Sequence, residues 1–284
     1  MAARTVRRLF LVVAVAATAL FGLAPTASVD AAPSWAPAAT ATIHPGVMMF
    51  TEGAQCTANF IYTNGTDVLI GYAAHCAGTG AATDTNGCDA ASLPLGTPVE
   101  IDGASQPGRL VYSSWLTMQG KATRPDADTC QYNDLALVKI AAADVGKVNP
   151  SIPHWGGPTG TNTAGTAALS AVYSYGNSSL RQGIALLSPK TGVSLGSTSG
   201  GWTHPVYTVT PGIPGDSGSA MLDASGKAAG VLSTLALAPL PASNNFTDLN
   251  KALSYAKANG FPGVALALGT QPFNPNQLPL GLGL

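Results

Sequence analysis

Charged side chains are scarce in this chain of 284 residues, where Asp, Glu, Lys and Arg together make up 10% of the total. Average globular domains contain roughly 25%. The formal net charge is −1, so the sequence has neither the basic patch that nucleic-acid binding needs nor a disordered acidic tail. Gly, Ala, Ser and Thr are abundant instead. This composition favours a turn-rich β protein over a helical bundle.

Long apolar runs are lacking after the first 31 residues. The one such run, residues 9–24, follows three arginines within residues 4–8, and the small residues Val29 and Ala31 come after it. This order is typical of a secretory signal peptide, and we place the cleavage after Ala31. An uncleaved membrane anchor is the alternative, although the run is short for a span of roughly 20 residues. We therefore expect a secreted, extracellular monomer with no nucleic-acid partner and, once the signal is removed, no membrane contact.

The chain has four cysteines, Cys56, Cys76, Cys88 and Cys130. In a secreted protein an even count predicts two disulfides, for which three pairings are possible. The spacings of 20, 12 and 42 residues contain no close pair of zinc ligands. Residues 83–89 form an acidic loop, but its glycine is misplaced for the known calcium-binding pattern. We expect no metal and no cofactor.

Several catalytic motifs are missing as well. There is no His-Glu-x-x-His for a zinc protease and no glycine loop that would bind phosphate. The elbow of the α/β-hydrolases needs Gly-x-Ser-x-Gly, and here Ser219 stands in its fifth position. These absences exclude three common hydrolase classes.

The mature chain is predicted to have two β-rich halves. Residues 32–46 are rich in Pro and Ala and are predicted to be irregular, residues 47–150 form the first half, and residues 151–262 form the second half with a late helix. The segment between the halves is dense in Pro, Gly and Asn, as expected of a connection. Residues 263–284 are predicted to be a poorly ordered tail.

Local signals predict three elements within these halves. Asn64-Gly65 separates two β-rich runs and predicts a hairpin with a tight type I′ turn. The apolar run 134–140 has the length of a buried strand. Residues 246–260 predict a helix in which Thr247 caps the start and Gly260 marks the end.

Three residues in these elements fit the needs of acyl transfer. That reaction needs a nucleophile activated by a base, a group that orients the base, and donors for the oxyanion. His75 stands at the exit of a strand, Asp134 opens a buried run, and Ser217 lies in the glycine-rich loop "GDSGS". The backbone N–H groups of Gly215 and Ser217 are the natural oxyanion donors.

Each residue alone also has an ordinary structural explanation. His75 could be a turn histidine, Asp134 could cap a strand, and the glycine-rich loop could be a simple turn. Asp126 and Asp128 are nearby acids, but they lie in a polar loop with no buried run behind it. The order His, Asp, Ser across three fitting contexts favours the catalytic interpretation.

The blocks "GYAAHC", "NDLALVKI" and "GDSGS" together resemble the signature blocks of chymotrypsin-like serine endopeptidases. The Ala/Gly-rich secreted style is similar to actinobacterial members of that family. The resemblance implies an all-β fold of two perpendicular six-stranded antiparallel β-barrels with a C-terminal helix, and an active site in the cleft between the barrels. It also implies that His75 is the general base, Asp134 its orienting partner and Ser217 the nucleophile, acting on a protein or peptide substrate.

The same resemblance implies roles for further residues. It pairs Cys56 with Cys76 beside the catalytic histidine, which leaves Cys88 with Cys130. Ser233 corresponds to a serine that supports the catalytic aspartate. Pro211 corresponds to the base of the specificity pocket, and Ser233, Thr234 and Leu235 correspond to its wall. A neutral base and a bulky Leu235 imply a preference for small or medium apolar residues such as Ala, Val or Leu.

Two positions depart from the family pattern. Ser219 stands where the motif usually has glycine, a change that bacterial relatives tolerate. Asp216 corresponds to an acid that pairs with a new N-terminus in animal members, and no activation-cleavage block is visible here, so the cation that pairs with Asp216 is left open. Besides an endopeptidase, two alternatives on this scaffold are a catalytically silent binding protein and a hydrolase of small esters.

Overall fold

The computed structural model describes residues 33–81, 84–236 and 241–277. The predicted signal peptide at 1–31 lies outside the described residues, as do the last seven residues of the predicted tail. Within the described part, no helix is both long and apolar enough to cross a bilayer.

The described residues form strands and short helices. In chain order the strands are β1 Met48–Thr51, β2 Ala54–Thr57, β3 Ile61–Asn64, β4 Asp67–Tyr72, β5 Pro98–Ile101, β6 Gly108–Ser113, β7 Ala136–Lys139, β8 Ala168–Tyr175, β9 Pro189–Leu195, β10 Thr203–Thr208, β11 Ala220–Leu222, β12 Ala228–Leu235, β13 Asn244–Asp248 and β14 Val264–Leu266. The α-helices are α1 Ser114–Gln119, α2 Ala127–Tyr132 and α3 Leu249–Ala258.

The second half forms a closed six-stranded barrel in the order β10-β13-β12-β11-β8-β9. Its interior cluster consists of the buried residues Val172, Val206, Met221, Ala229, Leu232 and Phe246. The first half forms an antiparallel sheet in the order β14-β3-β4-β7-β6-β5-β1-β2. The predicted all-β fold with a late helix is therefore confirmed. The first half has eight hydrogen-bonded strands and not the predicted six, because it contains all of β1–β7 and β14 joins it from the C-terminal part of the chain.

The predicted tail is wrong for its first part. Val264, Ala265 and Leu266 pair with β3, and Val264 is 1% exposed. Further along, Gly269 N–H donates to Pro158 O at 2.9 Å and Asn274 N–H donates to Trp155 O at 2.8 Å. The segment is ordered because its apolar residues cover a sheet edge whose backbone groups need partners.

The hairpin of β3 and β4 forms where the sequence predicts it, with a different turn. Asn64 pairs with Asp67, so the two loop residues are Gly65 and Thr66. Gly65 has φ +62°, and Thr66 is not among the residues with positive φ. A positive φ at the first loop position alone is the pattern of a type II′ turn, which corrects the predicted type I′ turn.

The late helix α3 starts two residues after its predicted cap. Asp248 is the N-cap, and its Oδ1 accepts a hydrogen bond from Lys251 N–H at 2.7 Å. Thr247 instead donates its hydroxyl to Tyr132 O at 2.6 Å. A carboxylate is a strong acceptor for the orphan N–H groups of a helix start, which explains why Asp248 takes the cap. Gly260 follows the helix with φ +99°, as predicted for a helix end.

Two helices were not predicted from the sequence. Both are short, and their stretches show no clear helical period. Helix α2 begins directly after its N-cap Asp126, whose Oδ1 accepts from Thr129 N–H at 2.9 Å. Asp126 is therefore a helix cap and not part of a loop.

Both disulfides pair as the family resemblance implies. Cys56 bonds Cys76, and Cys88 bonds Cys130. The first links β2 to the 3₁₀ turn Ala74–Ala77 that follows β4. The second links the loop after that turn to α2. Each bridge therefore restrains a segment next to His75 or Asp134 in the chain.

Candidate active site

His75 lies in the 3₁₀ turn at the exit of β4, and its neighbour Cys76 fixes the turn to β2. Its side chain is 26% exposed. The imidazole Nδ1 is 2.7 Å from Asp134 Oδ2, and the backbone N–H of His75 donates to Asp134 Oδ1 at 2.9 Å. The carboxylate thus fixes both the ring and the backbone of His75, and it leaves Nε2 as the remaining ring nitrogen.

Asp134 is 3% exposed and has a third partner from the second half of the chain. The Ser233 hydroxyl on β12 donates to its Oδ2 at 2.6 Å. Ser114 holds the backbone on both sides of Asp134, because its hydroxyl donates to Asn133 O at 2.7 Å and accepts from Leu135 N–H at 3.1 Å. A buried carboxylate needs such compensation for lost hydration.

The pKa values of the pair shift in opposite directions. Burial lowers the pKa of the His75 imidazole, but the charge of Asp134 and its hydrogen bond outweigh burial and leave that pKa above its ordinary 6.5. Burial raises the pKa of the Asp134 carboxyl, while the charge and hydrogen bond of His75 and the hydrogen bond from Ser233 hold it below its ordinary 3.8. Asp134 is therefore ionised at neutral pH, when His75 can exchange a proton.

Ser217 lies in a tight loop between β10 and β11. Gly215 has φ +95° and Gly218 has φ +87°, in the region that favours glycine. A Cβ at Gly218 would collide with Thr57 O on β2. Thr57 N–H in turn donates to Ser217 O at 2.8 Å. The glycines thus allow the loop to lie directly against the first half of the chain.

The backbone N–H groups of this loop fall into two sets. Asp216 N–H donates to Ile213 O, Gly218 N–H to Leu232 O and Ser219 N–H to Asp216 O, at 2.7–3.0 Å. The N–H groups of Gly215 and Ser217 donate to no acceptor among the described residues. These are the two groups that the sequence analysis predicts as oxyanion donors. Ser217 Oγ likewise has no hydrogen-bond partner within the described residues. The Ser217 hydroxyl and the His75 ring are therefore not hydrogen-bonded to each other in this structure.

Asp216 is fully buried, and its partner cation is Arg181. The Arg181 Nη2 lies 2.6 Å from Asp216 Oδ2, and Lys190 Nζ lies 3.2 Å from the same oxygen. The N–H groups of Ser178 and Ile213 also donate to this carboxylate at 3.0 Å. Burial lowers the pKa of Lys190 to about 8, and the Asp216 charge opposes that shift only in part. The cation that pairs with Asp216, which the sequence left open, thus comes from the second half of the chain itself.

Most of the predicted site residues line one cleft of about 580 Å³ between the halves. The cleft residues that matter here are Gln55, His75, Asp84, Asp134, Gly212, Pro214, Gly215, Ser217, Ser233, Thr234, Leu235 and Asn244. His75, Asp134 and Ser217 therefore line the same cleft, and Ser233, Thr234 and Leu235 line it too.

Pro211, the predicted base of the pocket, is not among the residues that line the cleft. Its carbonyl accepts from Arg181 Nη2 at 3.1 Å. Asn244 on β13 lines the cleft, and its Oδ1 accepts from Gly212 N–H at 2.7 Å. The sequence analysis does not find Asn244, because this residue lies on β13, a strand separate from the loop that contains Ser217.

The sequence analysis also did not identify Arg181 and Lys190 as partners of Asp216, although their isolation in the sequence was a signal. Between residues 148 and 226 they are the only lysine or arginine residues. A buried acid in this half therefore had two candidate cations within its own barrel.

The sulfur atoms of Cys56 and Cys76 lie near His75, as in some metal sites. Both sulfurs belong to a disulfide and offer no thiolate. The group therefore does not match a metal-binding site.

Comparisons with known proteins find similar solved structures but no similar sequence family. No protein-family model matches the sequence, and no curated protein matches it. Among solved structures, protease A of Thermobifida fusca matches with a TM-score of 0.50 and 19% identity over 80% of this chain and 99% of its own. A glutamic-acid-specific serine protease that uses a histidine triad in substrate binding matches with a TM-score of 0.50 and 17% identity, over 79% of this chain and 100% of its own. The chain therefore has the fold of the chymotrypsin-like serine proteases.

Proposed function

We propose that the protein is a secreted serine endopeptidase that acts through His75, Asp134 and Ser217. The observation that carries the proposal is Asp134, a buried carboxylate held between His75 and Ser233 beside a cleft that also contains Ser217. A binding protein on this scaffold has no need for a buried acid aimed at a histidine. Perturbed, paired groups in a cleft are typical of catalytic sites.

In the proposed reaction, neutral His75 accepts the proton of the Ser217 hydroxyl as Oγ attacks the substrate carbonyl carbon. Asp134 keeps the ring in orientation and stabilises the imidazolium that forms. The carbonyl oxygen becomes an oxyanion that the N–H groups of Gly215 and Ser217 bind. His75 then donates its proton to the leaving amine, and water releases the acyl group by the same steps in reverse.

A fluorophosphonate probe tests the nucleophile. We expect the wild-type protein to be labelled, Ser217→Ala to lose all labelling, and peptide turnover in that variant to fall by about 10⁴-fold or more. Ser219→Ala is the matched control, because Ser219 lies two residues away and its buried hydroxyl has no partner in the described structure. Labelling that persists in Ser217→Ala would contradict the proposal.

Casein digestion separates an endopeptidase from a hydrolase of small esters. We expect the wild-type protein to digest casein and to cleave internal peptide bonds. Turnover of simple esters without peptide cleavage would support the ester hydrolase, and no labelling at all would support the silent binding protein.

Secretion is part of the proposal and rests on two observations. The N-terminal 31 residues have the order of a signal peptide, and both cysteine pairs are oxidised in the structure. Mass spectrometry of protein recovered from the culture medium should find a chain that begins at Ala32. A chain retained in the cell with residues 1–31 intact would contradict secretion.

The cleft of this chain does not support the glutamate preference of the second matched protease. Its histidine triad has no counterpart in this cleft, because His75 is the only histidine among the described lining residues. His204 is fully buried elsewhere and lies 2.9 Å from Asp248. No lysine or arginine is among the described lining residues either, so an acidic side chain would enter without a cation.

A further inference from the structure

The turn at residues 177–181 donates four hydrogen bonds to the loop between β10 and β11, two to the Asp216 carboxylate and two to the carbonyls of Pro211 and Pro214. The Ser178 N–H and the Arg181 guanidinium bind the carboxylate of Asp216. Separately, the Ser178 hydroxyl donates to Pro214 O at 2.6 Å. Ser178 is 1% exposed, so water does not compete for this short hydrogen bond.

The hydrogen bond from the Ser178 hydroxyl to Pro214 O fixes one peptide plane of the loop. The peptide between Pro214 and Gly215 is trans, because the one cis bond in the described residues is elsewhere. In a trans peptide the C=O and the N–H point in opposite directions. A hydrogen bond that holds Pro214 O towards the 177–181 turn therefore aims Gly215 N–H to the opposite side, where Gly215 lines the cleft.

No other described group holds that plane. Pro214 O accepts from Ser178 Oγ alone, and Gly215 N–H has no acceptor among the described residues. The next peptide plane is held separately, because Gly215 O accepts from Thr57 Oγ1 at 2.8 Å and from Gln55 Nε2 at 3.0 Å. Glycine at 215, with its free backbone, leaves the 214–215 plane able to rotate if the Ser178 contact is lost.

We propose that the Ser178 hydroxyl is a positioning group that aims Gly215 N–H as an oxyanion donor. The inference rests on the proposed endopeptidase function. The Ser178 side chain touches neither the substrate nor the reacting atoms in this scheme. It acts through the carbonyl of Pro214, and the catalytic consequence appears only when negative charge develops on the substrate oxygen.

The expected effect of Ser178→Ala is a change in kcat with little change in KM. Loss of one oxyanion donor lowers kcat by about 10²–10³-fold, and a donor that is misaimed for part of the time should lower it by roughly 10–100-fold. KM should change by less than about 3-fold, because the ground-state carbonyl makes little use of the donor. Ser179→Ala is the matched control, since Ser179 is exposed and its one contact with Gln55 uses the backbone N–H that alanine keeps.

The experiment compares wild type, Ser178→Ala and Ser179→Ala by active-site titration, peptide turnover and inhibition by a peptide boronate of the same sequence as the substrate. We expect Ser178→Ala to weaken boronate inhibition by the same factor as kcat/KM, because the tetrahedral boronate oxygen occupies the oxyanion site. A kcat per titrated site within 2-fold of wild type would overturn the inference, and so would equal losses in Ser179→Ala.

Two further controls keep the result clear. If Ser178→Ala does not accumulate as folded protein, Ser178→Cys is measured in its place, because a thiol keeps the volume but is a weak donor. The same kcat and boronate losses support the inference, and unchanged values overturn it. A wild-type protein that shows no turnover would contradict the proposed function itself, which separates that failure from this one.

Discussion

Two buried aspartates belong to the candidate site, Asp134 and Asp216. Asp134 faces His75 and Ser233, and Asp216 faces Arg181 and Lys190. Each has several hydrogen bonds or ionic contacts, as buried carboxylates require. In a chain with so few charges, these two buried carboxylates hold the His75 ring and the loop that contains Ser217.

The proposed catalytic residues could be chosen from the sequence, but the contacts around them could not be predicted. His75, Asp134 and Ser217 stand in short local patterns that are readable along the chain. Arg181 and Asn244 act through contacts with Asp216 and Gly212. Such contacts depend on how strands of the barrel are arranged, and no local pattern reports that arrangement.

The first prediction at this scale concerns the acid limb of the pH–activity profile. The pKa of His75 is raised above 6.5, and the protonated ring cannot act as the base. Activity should therefore be lost as pH falls through a midpoint above 6.5. In Asp134→Asn the groups that raise this pKa are gone and burial remains, so an NMR titration should find the His75 pKa below 6.5.

Asp102, which is exposed, provides a matched carboxylate-removal control for that titration. Asp102→Asn removes a carboxylate without touching the His75 contacts, and the pKa of His75 should stay at its wild-type value. An unchanged His75 pKa in Asp134→Asn would show that the carboxylate does not set it.

At the scale of elements, strands with a continuous apolar run or a hairpin signal were predictable. β4 and β7 follow from their apolar runs, and the β3–β4 hairpin follows from Gly65, although its turn type depends on pairing register. β14 was not predictable, because its three residues have no pattern of their own. It exists because the edge of β3 offers unpaired backbone groups and a buried site for Val264.

Val264 provides a test of the C-terminal strand. Val264→Ala removes two buried methyl groups and should lower the free energy of unfolding by about 1–3 kcal/mol. Ala265→Ser is the matched control, because Ala265 is exposed on the same strand and should change stability by less than about 0.5 kcal/mol. Urea denaturation measures both. Equal stability of Val264→Ala and wild type would argue that β14 does not contribute to the fold.

At the scale of the whole molecule, the nucleophile loop belongs to the second half but is held by the first. The Gln55 side chain on β2 donates to Asn177 O and Gly215 O and accepts from Ser179 N–H. The backbone of Thr57 binds Ser217 O. The position of Ser217 relative to His75 is therefore fixed by contacts that cross the cleft, so the site requires both halves to be in place.

The last prediction concerns the residue before the cleaved bond, because the pocket beside Ser217 is made by two walls and a base. In the proposed pocket, residues 212–215 form one wall, residues 233–235 form the other, and Asn244, whose neutral amide hydrogen-bonds Gly212, lies at the base. None of the described residues in this set has a carboxylate that could pair with a basic side chain, and we expect Leu235 to narrow the entrance. A panel of peptides that differ only at this residue should favour Ala, Val or Leu over Arg or Lys by about 100-fold or more. Leu235→Gly should raise the rate for Phe relative to Leu by about 10-fold. A wild-type preference for Arg or Lys would refute this assignment of the pocket, and a wild-type preference for Phe or Tyr would show that Leu235 does not limit it.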